Sequence, residues 1–357
     1  MYQVNDIRIL HIELTDKCQA QCPMCARNYN GHGVRSFIKN KDITLKNFIE
    51  WFPKEFLSQL DCFYSCGNYG DPAFARDCLE IYSYIRDCNP TAKLGIHTNG
   101  GMRNSEWWKE LSNIIGTVNG SYCTFAVDGF KGKHELYRKN TNFDKVIENL
   151  KAYISGRGEA TVDSLVFKHN ENDVEELEKF LLDLGVVNVS FISTTRFYEM
   201  PHFPVLDAER HVEYHLEPAI RLPFRKPVNA SLEKLLDQQY RIKIVESSDI
   251  RPKCINDKEI YVDATGNIYP CCLIGHDYTE NNHDESSAIN ILHNISINHT
   301  KKVLEKTGIP NCKDGVLYEN KILYQGFNET WNNKDKCLTC VNACSTSVHH
   351  ETKNVTG

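Results

Sequence analysis

Apolar positions between residues 7 and 193 switch repeatedly between a strand-like and a helix-like arrangement. Short apolar runs at 7–14 (IRILHIEL), 61–66 (DCFYSC), 93–98 (KLGIHT), 121–127 (SYCTFAV), 161–167 (TVDSLVF) and 186–192 (VVNVSFI) read as strands. Between them, 44–57, 73–88, 105–115, 142–154 and 173–184 carry helical patterns, with Thr44 placed to cap the first. Six strands separated by five helices imply parallel strands joined by right-handed crossovers. The expected fold is α/β, a partial (β/α)6 TIM-type barrel spanning residues 1–195. A closed eight-stranded barrel would need two more units, and a doubly wound open sheet is the alternative.

The pattern breaks after residue 195. Prolines at 201, 204, 218, 223 and 227 punctuate a connecting region, 196–250, in which some helix is expected. Residues 251–357 turn to Cys, Asn, Gly and Lys with little periodicity, and a segment so poor in apolar pattern needs a staple such as metal. The Asn-rich stretch 280–300 reads as a solvated insertion. The 357-residue chain has a net charge of −6 and no long basic run, which argues against nucleic acid as a partner. No apolar stretch approaches a membrane span, and the N-terminus lacks a signal pattern. The expectation is therefore a cytoplasmic protein with no membrane partner.

Composition changes this picture at one point, the cysteines. There are fifteen, and ten fall within 18–25 and 254–344. In a reducing compartment, clustered cysteines bind metal more often than they form disulfides. Cys62, Cys66, Cys78, Cys88 and Cys123 are scattered and read as small buried hydrophobes. Directly after the first strand comes LTDKCQAQCPMCAR, with Cys18, Cys22 and Cys25 in C-x3-C-x2-C spacing. Three thiolates on one loop can wrap three corners of a [4Fe–4S] cube and leave the fourth iron open. An open metal position is where a small molecule binds, and the C-terminal end of a barrel strand is where such enzymes do chemistry.

Later segments each close an expected strand: CGNYGDP (66–72), HTNGG (97–101), VDGFKGKHELYRKN (127–140) and FKHN (167–170). Together with the cysteine loop, residues 7 to about 193 resemble the radical S-adenosylmethionine (SAM) superfamily. The resemblance implies that Cys18, Cys22 and Cys25 hold the SAM-binding [4Fe–4S] cluster. An external donor such as a flavodoxin or ferredoxin would then supply the electron that cleaves SAM to a 5′-deoxyadenosyl radical. That radical takes hydrogen from a peptide or protein side chain or from a small biosynthetic intermediate. The resemblance further makes Gly70, Asp71 and Pro72 contacts of the SAM ammonium, with Asp71 where Glu is common in the family. Asn99 joins them, and Asp128 and Arg138 are expected at the SAM ribose and carboxylate. Ala126 departs from the family, since many relatives carry a ribose-binding Ser there. On the first strand, parity points His11 and Glu13 into the barrel, and on the fourth Tyr122 and Thr124 share the parity of Asp128.

The C-terminal cysteines continue the resemblance incompletely. Cys254, Gly266 and Cys271 match the opening of the SPASM pattern, C-x9–15-G-x4-C, of relatives with auxiliary clusters. Cys337-x2-Cys340-x3-Cys344 lacks the rest of that pattern. This favours the shortened twitch version with one auxiliary [4Fe–4S] cluster, held by Cys254, Cys271, Cys337 and Cys340. Cys344 is a substitute ligand, and Cys272 and Cys312 are spares. A zinc site is the alternative reading. Sulfatase-maturating relatives carry a catalytic Asp directly after the second auxiliary Cys, where this chain has Cys272. The expectation is an oxidoreductase-type enzyme in which the auxiliary cluster takes electrons from substrate. The alternatives are redox-neutral radical chemistry (epimerisation, rearrangement or carbon–carbon bond formation) and, outside enzymes, an iron–sulfur electron carrier.

Overall fold

A computed structural model describes residues 2–194, 196–197, 200–221 and 249–279, and beyond these 298, 300–305, 308–318, 322–323, 331 and 336–345. The six expected strands all form: β1 (Ile9–Ile12), β2 (Cys62–Ser65), β3 (Lys93–Thr98), β4 (Tyr122–Ala126), β5 (Glu159–Val166) and β6 (Asn188–Ser193). Each is a parallel neighbour of the next. The crossovers are α1 (Leu45–Trp51), α2 (Cys78–Cys88), α3 (Ser105–Ile115), α4 (Phe143–Ile154) and α5 (Val174–Asp183).

Alternation fixes the faces. Leu10, Ile12 and Leu14 have no exposed surface and join Phe63, Leu94, Ile96, Phe125 and Val162 beneath Phe48, Tyr82, Trp108, Val146 and Leu177 of the helices. Each such side chain contributes about 1.5–3 kcal/mol by leaving water. The opposite parity carries His11, Tyr64, His97, Thr124 and Asp163, so the concave interior is polar.

The sheet does not stop at six strands. β7 (Glu259–Val262) pairs in parallel with β1, and β8 (Ile268–Tyr269) runs antiparallel to β7, giving the order β8-β7-β1-β2-β3-β4-β5-β6. Four residues, EIYV, in an otherwise aperiodic region are too short for a periodicity signal. Their pairing covers what would be the open edge of β1.

Other departures have local causes. The helix expected over 44–57 breaks at Pro53, which lacks the N–H a continuing helix needs, and Lys54–Ser58 forms a separate turn. Thr44 does cap α1, accepting from Asn47 N at 3.1 Å. Within 73–88, a 3-10 turn at Pro72–Phe74 precedes α2. In the connecting region, Phe203–Leu206 and Val212–Leu216 pair as an antiparallel hairpin. Its Phe203, Val205, Tyr214 and Leu216 pack with Ala20, Met24 and the three cysteines of the 18–25 loop. Residues 222–248 and 280–297 lie outside the described residues. Among those described, no helix is long and apolar enough to cross a membrane.

The loop after β3 is held from behind by Asn149 of α4, whose Nδ2 donates to Gly100 O at 2.7 Å and Met102 O at 2.9 Å. Asn149→Ala strands two carbonyls and should cost about 1–3 kcal/mol. A urea unfolding series on the apoprotein measures it, and an unchanged midpoint would contradict this account.

Candidate active site

Polar side chains shape the cysteine loop. Asp16 accepts from Lys39 N at 2.8 Å and Lys41 N at 2.6 Å, drawing the following turn back over the end of β1. Buried Arg27 donates Nε to Asp16 O, and Asn28 Nδ2 donates to Cys22 O at 3.3 Å. From the other side, Asn140 Nδ2 donates to Gln19 O and Gln21 N to Lys139 O, both at 2.7 Å.

The three thiols are unpaired by disulfide. Burial, then Asp71 and the neighbouring Cys22 and Cys25, pushes the Cys18 thiol well above its ordinary range. Burial also raises Cys22 to about 11, against the pull of Arg138. Asn99 Nδ2 lies 3.4 Å from Cys18 Sγ. Three neighbouring sulfurs in a largely apolar setting, with an amide and a guanidinium aimed at them, suit an iron–sulfur cube. Coordination would supply the positive charge that buried thiolates lack.

The loop between β2 and the Pro72 turn closes around Glu13. Its Oε1 accepts from Tyr69 N at 2.7 Å and Gly70 N at 2.8 Å, and its Oε2 accepts from Tyr261 OH at 2.7 Å. A Cβ at Gly70 would sit 1.7 Å from Thr15 O, so no other residue fits that approach. Asp71 is buried, and its carboxylate accepts from Ala73 N at 3.0 Å, Thr98 Oγ1 at 2.9 Å, and Asn99 N and Nδ2 at 2.6 Å each. Asp71 thus ties the loops after β2 and β3 together, with Asn99 between it and Cys18. Of the expected contacts, Gly70, Asp71, Pro72 and Asn99 are gathered beside the cysteine loop.

Arg138 donates Nε to Asp128 Oδ2 at 2.5 Å, while Leu165 N donates to Asp128 Oδ1 at 2.6 Å. Asp128 has no exposed surface, so its carboxylate backs Arg138 and has no face open to a ribose. Burial opposes the charge on Arg138, but Asp128 and Cys22 outweigh it and raise its pKa. Ala126 pairs in register with Asp163 of β5, a partly exposed inward carboxylate.

Deeper in the barrel, His11 Nε2 donates to Cys66 O at 2.7 Å, and its ring stacks on Tyr64 at 4.3 Å. A carbonyl can only accept, which fixes the proton on Nε2. Tyr64 OH donates to Glu259 Oε1 at 2.6 Å, and that oxygen lies 3.6 Å from His11 Nδ1. Glu259 and Tyr261 gave no signal in sequence because β7 itself gave none. Cys62 and Cys66 are half-buried on this inner side, whereas Cys78, Cys88 and Cys123 are core residues.

The C-terminal cysteines share a neighbourhood. Burial, then Cys344, raises Cys254 to about 12. Burial, Cys272 and Cys254 raise Cys271, and Cys337, burial and Cys271 raise Cys340. Cys271 thus has Cys254, Cys272 and Cys340 as electrostatic neighbours, Cys254 has Cys344 and Cys340 has Cys337, while Cys272 also acts on His11 and Cys312 lies near Asp263. Among the described residues, no three His, Cys, Asp or Glu side chains are close enough to share a single metal ion.

Residues 12–184 match the Radical SAM superfamily. Over 292 residues the chain is 20% identical to a GTP 3′,8-cyclase of Aquifex aeolicus (strain VF5), covering 79% of this chain and 86% of the relative. It is 22% identical over 276 residues to a probable GTP 3′,8-cyclase of Methanocaldococcus jannaschii, covering 75% and 86%. Among solved structures, Streptococcus suis SuiB bound to S-adenosylmethionine aligns with a TM-score of 0.47 and 11% identity, covering 74% of this chain and 60% of SuiB. Native anSMEcpe with bound AdoMet aligns at 0.46 and 18%, covering 74% of each chain.

The carboxyl of Glu13 has its own pH signature. Burial raises its pKa from 4.5 to about 7, against the hydrogen bonds from Gly70, Tyr69 and Tyr261. A carboxyl pKa raised by folding favours the native state at low pH, and that contribution is lost as pH rises from 4.5 through 7. Glu13→Gln keeps the shape and cannot ionise. Its unfolding free energy relative to the parent should rise by roughly 3 kcal/mol between pH 4.5 and pH 8. A pH-independent difference in denaturant titrations would contradict the assignment.

Proposed function

Residues 12–184 of this chain are a radical SAM domain, and from that premise we propose that the protein is an enzyme that reductively cleaves SAM and removes a hydrogen atom from its substrate. The observation that carries the proposal is the Cys18–Cys22–Cys25 group at the C-terminal end of β1, faced by Asn99 and Arg138. When bound, a [4Fe–4S] cluster and SAM supply one-electron cleavage of a carbon–sulfur bond and a carbon radical able to take hydrogen.

The chain's own residues then have distinct tasks. Cys18, Cys22 and Cys25 hold the cluster. The Gly70–Asp71–Pro72 turn offers backbone polar groups to the SAM ammonium, and Asp71 fixes that turn through its four donors from Ala73, Thr98 and Asn99. Arg138, kept charged and oriented by Asp128, meets the SAM carboxylate. Asp163, beside Ala126, stands where the family's ribose-binding hydroxyl is missing. The hairpin at 203–216 and the apolar residues packed with it keep water from the cysteine loop. The polar barrel interior, with His11, Tyr64, Glu259 and His97, is suited to a substrate rich in hydrogen-bonding groups, a small biosynthetic intermediate or a peptide or protein side chain.

For residues 251–357 the proposal is a twitch-like auxiliary unit whose [4Fe–4S] cluster uses Cys254, Cys271, Cys337 and Cys340, with Cys344 in reach as a substitute. Net oxidation of substrate through that cluster, with a flavodoxin or ferredoxin priming the first one, is the leading reading. The redox-neutral reading is favoured by one observation, that two curated relatives are named cyclases. Electrons consumed per product separate the two.

Anaerobically reconstituted, reduced protein should convert SAM to 5′-deoxyadenosine and methionine, and Cys22→Ala should abolish this. Turnover that persists in that variant would remove the central assignment. Iron content tests the second site: about eight irons per chain are expected, falling to about four when Cys18, Cys22 and Cys25 are all replaced. A triple variant holding no iron and one zinc would establish zinc at residues 254–344 instead.

A further inference from the structure

The loop that carries Gly70–Pro72 contains two glycines and little apolar anchorage of its own beyond Tyr69. Its outer half is fastened to the C-terminal segment. Asn68 Nδ2 donates to Cys272 O at 2.9 Å and to Tyr261 OH at 3.2 Å. Tyr69 OH donates to His276 O at 3.2 Å, and the two rings stack with centroids 5.7 Å apart and planes 14° apart. Tyr261 passes the connection on to Glu13, which grips Tyr69 N and Gly70 N from inside. The loop is thus held between β1 on one side and β7 with α6 (Cys272–Thr279) on the other.

We propose that Asn68 and Tyr69 are positioning residues that set SAM affinity by clamping this loop to β7 and α6, so that the C-terminal segment is part of the SAM site. The proposal rests on the reading of Gly70–Pro72 as SAM contacts. Backbone groups that meet a ligand from a glycine-containing loop must be held in place before binding, or the ordering cost is charged to the ligand. Asn68 and Tyr69 supply that restraint through neutral hydrogen bonds to carbonyls and a hydroxyl. Removing them leaves both cysteine groups, Asp71 and Arg138 intact. They act through the loop, so binding should suffer and the chemical step should not.

The test uses full-length, anaerobically reconstituted protein with SAM as the probe. In equilibrium dialysis, Asn68→Ala should raise the Kd for SAM about tenfold and Tyr69→Phe about threefold, in line with two lost hydrogen bonds and one. The KM for SAM in substrate-free cleavage should rise in step while kcat stays within about twofold. Iron content and the electron paramagnetic resonance spectrum of the reduced cluster without SAM should match the parent. Tyr69→Phe keeps the ring and its stacking, so it reports on the clamp even if Asn68→Ala folds poorly. Gly70→Ala, which drives a Cβ into Thr15 O, is the reference for the loop itself. Unchanged Kd in Asn68→Ala and Tyr69→Phe, with SAM binding lost in Gly70→Ala, would overturn the clamp and leave the loop assignment standing. Unchanged Kd in folded Gly70→Ala would overturn both.

Discussion

One buried carboxylate organises the end of the barrel where chemistry would occur. Glu13, just past β1, accepts from two backbone amides of the loop after β2 and from a tyrosine of β7. Burial without such partners would cost several kcal/mol, so the carboxylate enforces the arrangement that satisfies it. Gly70 must approach Thr15 closely for its amide to reach Glu13, and Tyr261 must sit on a strand paired with β1. The placement of the Asp71 turn, and hence of Asn99 and Cys18, follows from that geometry.

A second carboxylate repeats the device on the opposite side. Asp128, closing β4, is enclosed between Leu165 N and Arg138, and the guanidinium it holds reaches towards Cys22. The cysteine loop is flanked by two polar supports: Asp71–Asn99, a carboxylate satisfied by neutral hydrogen-bond donors, and Asp128–Arg138, an internal ion pair. Such pairs contribute little net stability, but they fix positions that apolar packing alone would leave loose.

The barrel was legible in sequence because its outward residues are predominantly apolar and its strands and helices alternate without interruption. Cys18, Cys22, Cys25, Gly70, Asp71 and Asn99 were readable because they end strands in recognisable spacing, and the structure brings them together. Asp128 shows the limit: its position in a motif was visible, whereas the engagement of both its oxygens depends on Leu165 and Arg138 and could not be. β7 escaped because four residues carry too little periodicity, and with it went Tyr261 and Glu259. Pro53 was visible in the sequence, yet the helical period around it was strong enough to mask the break. The hairpin at 203–216 was hidden by prolines that edge strands tolerate.

The pairing of β7 with β1 has a consequence for how the chain reaches its folded state. During synthesis, β1 is made first and finds β2 about fifty residues later, but its other edge stays unpaired until residue 262 has emerged. For most of translation the nascent barrel therefore presents a bare parallel edge, the kind of template that recruits other chains. Contacts across some 250 residues also close slowly, because loop closure precedes any gain from pairing. Fragments ending shortly after β6 would carry this edge permanently, and a soluble truncated barrel would need it covered or made charged.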